Sequence, residues 1–433
     1  MTSDKFICKT ASVCPVCLKQ IPAEKIKRNQ EIIIIKNCPE HGNFETVIWR
    51  GQTDIEDWCQ NAPSFVENPL CPTACGLCSE HRQDTCCVVY EITKRCNLNC
   101  RFCFADAGKN RDISMEQIKN DLRKIIVPGK TLIQLSGGEP TVRDDLPEII
   151  KEAKKAGAKY IQLNSNGLRL AEDEKFVQDI VKAGVSFIFM QFDGTEDAIY
   201  KHLRGKPLLQ TKLHAIKNCE KYGLGVTLVP TLVKNINTQN IGEIIKIGMK
   251  MSPTVRGIHF QPASYFGRIP QAPENEKRYT LGELLDDIET QTLGFVKKNN
   301  LAPACCDHPL CGFHGSFVVL PDNTLMPLTV RKNGNGSCCC ATAEENREYV
   351  GTRWERNADD QQISDFDITT MDGFINRVKA YSFTITSMAF QDAWNIDLAR
   401  LQQCSLHVFR NGKFIPMCAN YLTSSEGRSI YND

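Results

Sequence analysis

The chain lacks a sizeable net charge, a membrane-length apolar run and an internal repeat, and each absence removes a class of function. Lys and Arg number 52 against 51 Asp and Glu, so no global field draws the protein to nucleic acid or to an anionic surface. The longest purely aliphatic run, Ile32 to Ile35, falls far short of the roughly 20 residues that cross a bilayer. The opening MTSDKFICKT has no apolar signal core. A cytoplasmic protein is expected, peripheral to a membrane at most. What the chain has in abundance is cysteine, 22 residues grouped at short spacings. In a cytosolic chain such grouping favours metal binding over disulfides and implies an oxygen-poor cell. At 433 residues the length suits two to three units with ample core.

The most telling group is Cys96, Cys100 and Cys103, at C-x3-C-x2-C spacing in RCNLNCRFCFADAGK directly after a predicted strand. Three thiolates on a cubane 4Fe-4S cluster leave one iron open to a small ligand, whereas four would suit electron transfer alone. The alternative, a structural zinc knuckle, usually pairs C-x2-C units and closes with a fourth ligand. Some forty residues on, Ser136-Gly137-Gly138-Glu139-Pro140 ends the apolar run Thr131 to Leu135. Glycines there expose peptide groups to an amino group, and the Glu139 carboxylate suits an ammonium. Alone, Gly-Gly is mostly a turn. Together the two motifs resemble those of radical S-adenosylmethionine (SAM) enzymes over roughly Val88 to Pro262.

Six short, mostly apolar runs, Val88–Thr93, Thr131–Leu135, Tyr160–Leu163, Ser186–Gln191, Gly225–Pro230 and Gly257–Gln261, alternate with stretches of helical spacing. That pattern predicts an α/β fold, a partial (β/α)6 TIM-type barrel. A capping box is expected at Ser114-Met-Glu-Gln117. In such barrels chemistry sits at the carboxyl ends of the strands, where Asn164, Asn166, Gly167, Asp193 and Gln261 fall beside the two motifs. Asn164, Asn166 and Gln261 are candidate nucleotide contacts, although Asn-Gly is also a common turn. Asp193 either orients a ligand or caps its loop. His259, inside a strand, reads as a satisfied core histidine.

Four regions follow: a metal-binding knuckle at 1–55, a cysteine segment at 56–87, the barrel at 88–270 and a cysteine-bearing C-terminal region at 271–433. In the first, Cys14 and Cys17 with Cys38 and His41 can close a tetrahedral zinc site, or a rubredoxin-like iron if Cys8 replaces His41. Its role is either a folding staple or electron transfer. In the second, Cys71, Cys75 and Cys78 repeat the C-x3-C-x2-C spacing, with Cys86 favoured over Cys87 as a fourth ligand of an auxiliary 4Fe-4S cluster. In the last, Cys306, Cys311, Cys404 and Cys418 are candidates for another, against the alternative of buried core thiols. Cys338, Cys339 and Cys340 have no assigned role.

The knuckle, the segment CGLCSEHRQDTC, the loop CNLNCRFCFADA and the run GGEPTVRDDL, with QFDGTEDAIYKHLRG, VPTLVKNIN and RGIHFQPASYFGR, are together similar to the tetraether lipid synthase-like branch of that superfamily. The resemblance implies a barrel enzyme with SAM, several iron-sulfur clusters (one SAM-binding, two auxiliary) and one mononuclear Zn or Fe. It further implies an electron donor such as ferredoxin or flavodoxin, and a small-molecule or lipid substrate. Reductive cleavage of SAM would yield a 5'-deoxyadenosyl radical that takes hydrogen from an unactivated carbon, for C–C bond formation on a lipid-type substrate. A peptide- or small-molecule-modifying enzyme is the alternative, and an iron-sulfur electron carrier without substrate a third. An apolar tunnel near Tyr265, Phe266 and Phe313 would suit a lipid.

Overall fold

A computed structural model describes residues 4–59, 62–74, 76–108, 111–268, 273–304, 306–331, 342–356 and 369–431. Cys75 and Cys338 to Cys340 lie outside the described residues.

The first four strands, β1 (Lys5–Val13), β2 (Gln20–Arg28), β3 (Glu31–Cys38) and β4 (Gly42–Trp49), form an antiparallel meander. Tight connections suffice for antiparallel neighbours. The two metal-knuckle pairs sit at its turns, after β1 and at the β3–β4 junction.

Next come β5 (Cys87–Thr93), β6 (Leu132–Gly137), β7 (Tyr160–Ser165), β8 (Phe187–Gln191), β9 (Gly225–Val229), the two-residue β10 (Thr231–Leu232) and β11 (Val255–Pro262). Strands β5, β6, β7, β8, β9 and β11 pair in parallel in that order, the six-strand partial barrel expected. Their β-branched and aliphatic residues are buried on both faces, because helices cover one side and the cavity below fills the other. The helix Met115–Ile125 shows how sequence sets a boundary. Ser114 caps it by accepting from Gln117 N, but the Gln117 side chain donates to Asp121 at 2.8 Å instead of closing the box.

The C-terminal region supplies β12 (Ala302–Pro303), β13 (Gly312–Val319), β14 (Leu325–Pro327), β15 (Ser382–Met388), β16 (Leu406–Arg410) and β17 (Lys413–Pro416). These join the barrel sheet. β15 pairs in parallel with β11, and β13 antiparallel with β15. On the other flank β16 pairs in parallel with β5 and β17 closes that side. Strands β5 to β17 thus form one thirteen-stranded sheet, separate from the β1–β4 meander. The β1–β4 meander, a small ribbon of sheet, is moored to the C-terminal region by buried polar contacts. Lys25 pairs with Asp397, which also accepts from Thr10 Oγ1 at 2.6 Å, and Lys36 Nζ donates to Ala393 O at 2.8 Å. None of the described helices is long and apolar enough to cross a membrane.

Candidate active site

The cysteine loop leaves the carboxyl end of β5 and is pinned from β11's exit. Main-chain bonds run both ways between Cys103 and Arg268, at 3.1 and 3.0 Å. The Arg268 guanidinium donates to Cys100 O at 3.1 Å and Ala107 O at 3.0 Å. A Cβ at Gly267, whose φ is +65°, would stand 2.4 Å from Cys103 O, so this approach requires glycine. Cys96, Cys100 and Cys103 are half-buried and line one cavity. Burial pushes the Cys96 thiol up to about 11, so metal binding there must release its proton.

These three sulfurs do not close into a mononuclear site. Among the described residues, one group brings its donor atoms all within 4.8 Å of one another, and it is Cys14, Cys17, Cys38 and His41. His41 Nδ1 lies 3.6 Å from Cys14 Sγ and 3.4 Å from Cys38 Sγ. Burial raises the Cys38 thiol, but hydrogen bonds from His41 and main-chain N–H groups outweigh it and bring it down to about 6. Cys8 stands elsewhere, near Lys25 and Asp397, which disposes of the rubredoxin-like donor set.

The Gly137–Pro140 turn lies against the cysteine loop, though Glu139 acts differently from the sequence expectation. A Cβ at Gly137 would come within 2.1 Å of Thr93 O, and one at Gly138 within 2.1 Å of Arg95 O. The N–H groups of Gly138 and Glu139 donate to those same carbonyls at 2.9 and 2.8 Å. The glycines therefore permit close packing of β6's end on the cysteine loop. Glu139 is buried, and its carboxylate accepts from Thr141 Oγ1 (2.7 Å), Thr141 N (3.2 Å), Ser165 Oγ (2.9 Å) and Asn166 N (2.6 Å). With four donors already on it, Glu139 ties the ends of β6 and β7 together instead of waiting for an ammonium. Burial raises its pKa against those bonds.

Asn164, Asn166, Gln261 and Pro140 all line the cavity. Asn166 Nδ2 donates to Asn97 in the cysteine loop at 2.7 Å, and Asn164 Nδ2 to Ser136 Oγ at 3.3 Å. Asp193 is fully buried away from the cavity, with both oxygens on Arg204 at 2.7 Å. It acts through Arg204, which lines the cavity and donates to Phe102 O at 3.4 Å. Sequence reasoning missed Arg204 and Arg268, since a lone arginine announces nothing until its carbonyl partners are known. It also missed Lys212, wholly buried and donating to Asn166 O and Gln191. Burial takes the Lys212 ammonium down to about 8.

The remaining cysteines regroup. Cys306 packs with Cys86 and Ala343, and Asn346 Nδ2 approaches Cys86 Sγ at 3.3 Å. Cys86 therefore stands with Cys306, not with Cys71. Cys71 packs with Cys418 in another apolar cluster. Cys311, Cys404 and Cys418 lie close enough that their charges interact, and Arg400 Nη2 is 3.6 Å from Cys311 Sγ. Cys59, passed over in the sequence, also comes toward Cys311 and Arg400. Cys78 Sγ accepts from Asn68 at 3.6 Å, and His81, just beyond it, bonds Cys404 O at 2.7 Å. The tertiary pairing of β16 with β5 brings these segments together, which local spacing could not reveal.

Of these cysteines, Cys86 and Cys306 line the same cavity as Cys96, Cys100 and Cys103, a space of about 330 Å³ at the carboxyl ends of the parallel strands. The cysteine loop and Gly137–Pro140 form one wall, and Cys86, Cys87, Cys306 and Asp307 another. Phe266 and Phe313 line it, whereas Tyr265 packs outside against Phe102 and Arg278.

Residues 90–247 match the family model of the radical SAM superfamily, and residues 6–50 that of the HMPTM N-terminal zinc ribbon domain. The 7,8-dihydro-6-hydroxymethylpterin dimethyltransferase of Methanocaldococcus jannaschii is 32% identical, covering 95% of this chain and 92% of that one. The Fe-coproporphyrin III synthase of Methanosarcina barkeri is 31% identical over 36% of this chain and 38% of its own. Among solved structures, Streptococcus suis SuiB bound to precursor peptide SuiA superposes with a TM-score of 0.42 at 14% identity, over 55% of this chain and 53% of that one. With three thiols on one open loop, a Gly-Gly-Glu-Pro turn packed on it and a full-length relative, the chain belongs to the radical SAM superfamily.

Proposed function

We propose that this radical SAM enzyme takes a hydrogen atom from an unactivated carbon of a substrate seated in the barrel cavity and forms a C–C bond there. The observation that carries the proposal is that the Cys96–Cys103 loop, the Gly137–Pro140 turn and the second cysteine wall all face one cavity. When bound to Cys96, Cys100 and Cys103, a 4Fe-4S cluster with SAM supplies the one-electron cleavage that gives methionine and the 5'-deoxyadenosyl radical. Arg268 and Arg204 fix the loop by their bonds to its carbonyls. Asn164, Asn166 and Gln261 present side-chain amides to the nucleotide, and Glu139 holds Asn166 in place through its N–H. Phe104, Phe266, Phe313 and Trp354 exclude water from the reacting carbon.

Cys311, Cys404 and Cys418 would hold an auxiliary cluster whose charge Arg400 offsets, and Cys86 with Cys306 a second site on the cavity wall. The donor set of three cysteines and one histidine in the ribbon fits zinc, as a folding staple.

The apolar lining and the likeness to the tetraether lipid synthase-like branch favour a lipid chain as substrate. The full-length dihydropterin dimethyltransferase relative favours a second reading, carbon methylation of a reduced pterin. Anaerobic holoenzyme is to be incubated with reductant and SAM, first with a lipid extract and then with 7,8-dihydro-6-hydroxymethylpterin. Paired hydrogen loss from a lipid supports the first reading, and added methyl mass on the pterin the second. Deoxyadenosine released with neither product rejects both substrate assignments.

A further inference from the structure

His259 is buried, as expected of a core histidine, but it also lines the cavity and, among the described residues, only one of its ring nitrogens is engaged. It sits in β11, and register places it beside Thr386 of β15, which in turn lies beside His314 of β13. Directly paired residues share a sheet face, so these three side chains form one row, and all three line the cavity. Thr386 Oγ1 lies 3.3 Å from Ile258 O, a carbonyl that can only accept, and 2.8 Å from His259 Nδ1; the tautomer that satisfies both contacts has Thr386 donate to the carbonyl and accept from His259 Nδ1–H. A neutral imidazole carries one ring proton. Nε2 is therefore a bare acceptor, and among the described residues no hydrogen bond engages it. The ring is held between Phe189 and Trp354, with centroids 5.0 and 6.2 Å away. Burial drives its pKa down to about 3, so it accepts a hydrogen bond without taking up a proton.

We propose that His259, its tautomer fixed by Thr386, anchors the substrate by accepting a hydrogen bond at Nε2 from a neutral hydroxyl group. The role deepens the reading of the cavity as the substrate site and rests on it. A phosphorylated or otherwise anionic end fits poorly. Among the described residues Arg204 is the one cation on the cavity wall, and Asp193 already engages it. An anion beside a bare imidazole nitrogen would be desolvated without compensation. His259 thereby sets which end of the substrate lies deep in the barrel, and so which carbon meets the radical.

The test uses reconstituted holoenzyme and two matched probe pairs: a dialkylglycerol with its O-methyl ether, and 6-hydroxymethyl-7,8-dihydropterin with its methoxymethyl analogue. In one of the pairs the alcohol is expected to bind about five- to tenfold tighter than the ether, the worth of one neutral hydrogen bond. In His259→Phe that preference should vanish, and in His259→Gln, which keeps an acceptor oxygen, it should return in part. A merely structural role would weaken both members of a pair alike. Equal binding of alcohol and ether by the wild type, whether tight or undetectable, overturns the proposal, as does a preference that survives in His259→Phe. Absence of deoxyadenosine from the wild-type enzyme would instead overturn the reading on which it rests.

Discussion

The ribbon site and the barrel loop each gather cysteines, yet their geometry separates two kinds of metal chemistry. In the ribbon, four donors crowd within 4.8 Å of one another, close enough for one ion to touch all of them. On the barrel loop Cys96, Cys100 and Cys103 line one cavity without forming such a group, which suits a polynuclear cluster with an open corner. Residue type alone could not distinguish these cases. The spacing of donor atoms does, and it supports the proposed folding role of one site and the proposed chemistry of the other.

The largest effect expected is at the ribbon. Cys38→Ser should release one metal equivalent by elemental analysis and expose residues 5–49 to protease, while leaving the barrel loop's iron in place. Metal-dependent folding of such small units is worth on the order of 10 kcal/mol. Simultaneous loss of both metals would collapse the distinction.

Arg204→Met should follow in size. It strands the buried Asp193 carboxylate without its partner, at a cost of about 3–5 kcal/mol in denaturant unfolding. Removing the brace on Phe102 O should also slow deoxyadenosine formation.

Glu139→Gln should be milder, about 1–3 kcal/mol, because an amide NH2 would face a donor where a carboxylate oxygen now accepts. The apparent SAM affinity should weaken through displacement of Asn166. An unchanged affinity would remove Glu139 from the positioning of the nucleotide site.

Acid sharpens the contrast from the ribbon's other side. Burial raises the Asp397 carboxyl, but Lys25 and its neighbours outweigh that and hold it at about 2, below the ordinary 3.8. A depressed carboxyl pKa stabilises the folded state above the unfolded value. That contribution should fade as pH falls from about 4 toward 2. Thermal melts of the wild type should show this loss, and Asp397→Asn should flatten it.

Much of the barrel was legible because its signals are local. Each of the six strands carries its own apolar run, and both motifs are contiguous. What escaped depends on distant pairing. β15, SFTITSM, and β16, LHVFR, have the alternation of strands, and 404–418 reads as the hairpin that β16 and β17 form, but nothing local says that they flank the barrel on either side. With β16 unplaced, nothing in the sequence could show Cys306 meeting Cys86. His259 read as core because its row partner Thr386 lies 127 residues away. Glu139 was placed correctly but misjudged in role, since its four donors come from two strand ends.

The central claim is tested most directly by reducing anaerobically reconstituted enzyme in the presence of SAM and quantifying products. Wild-type protein should release 5'-deoxyadenosine and methionine in equal amounts, and Cys100→Ala none. Release of deoxyadenosine by Cys100→Ala, or its absence from the wild type with iron loaded on the barrel loop, would contradict the account.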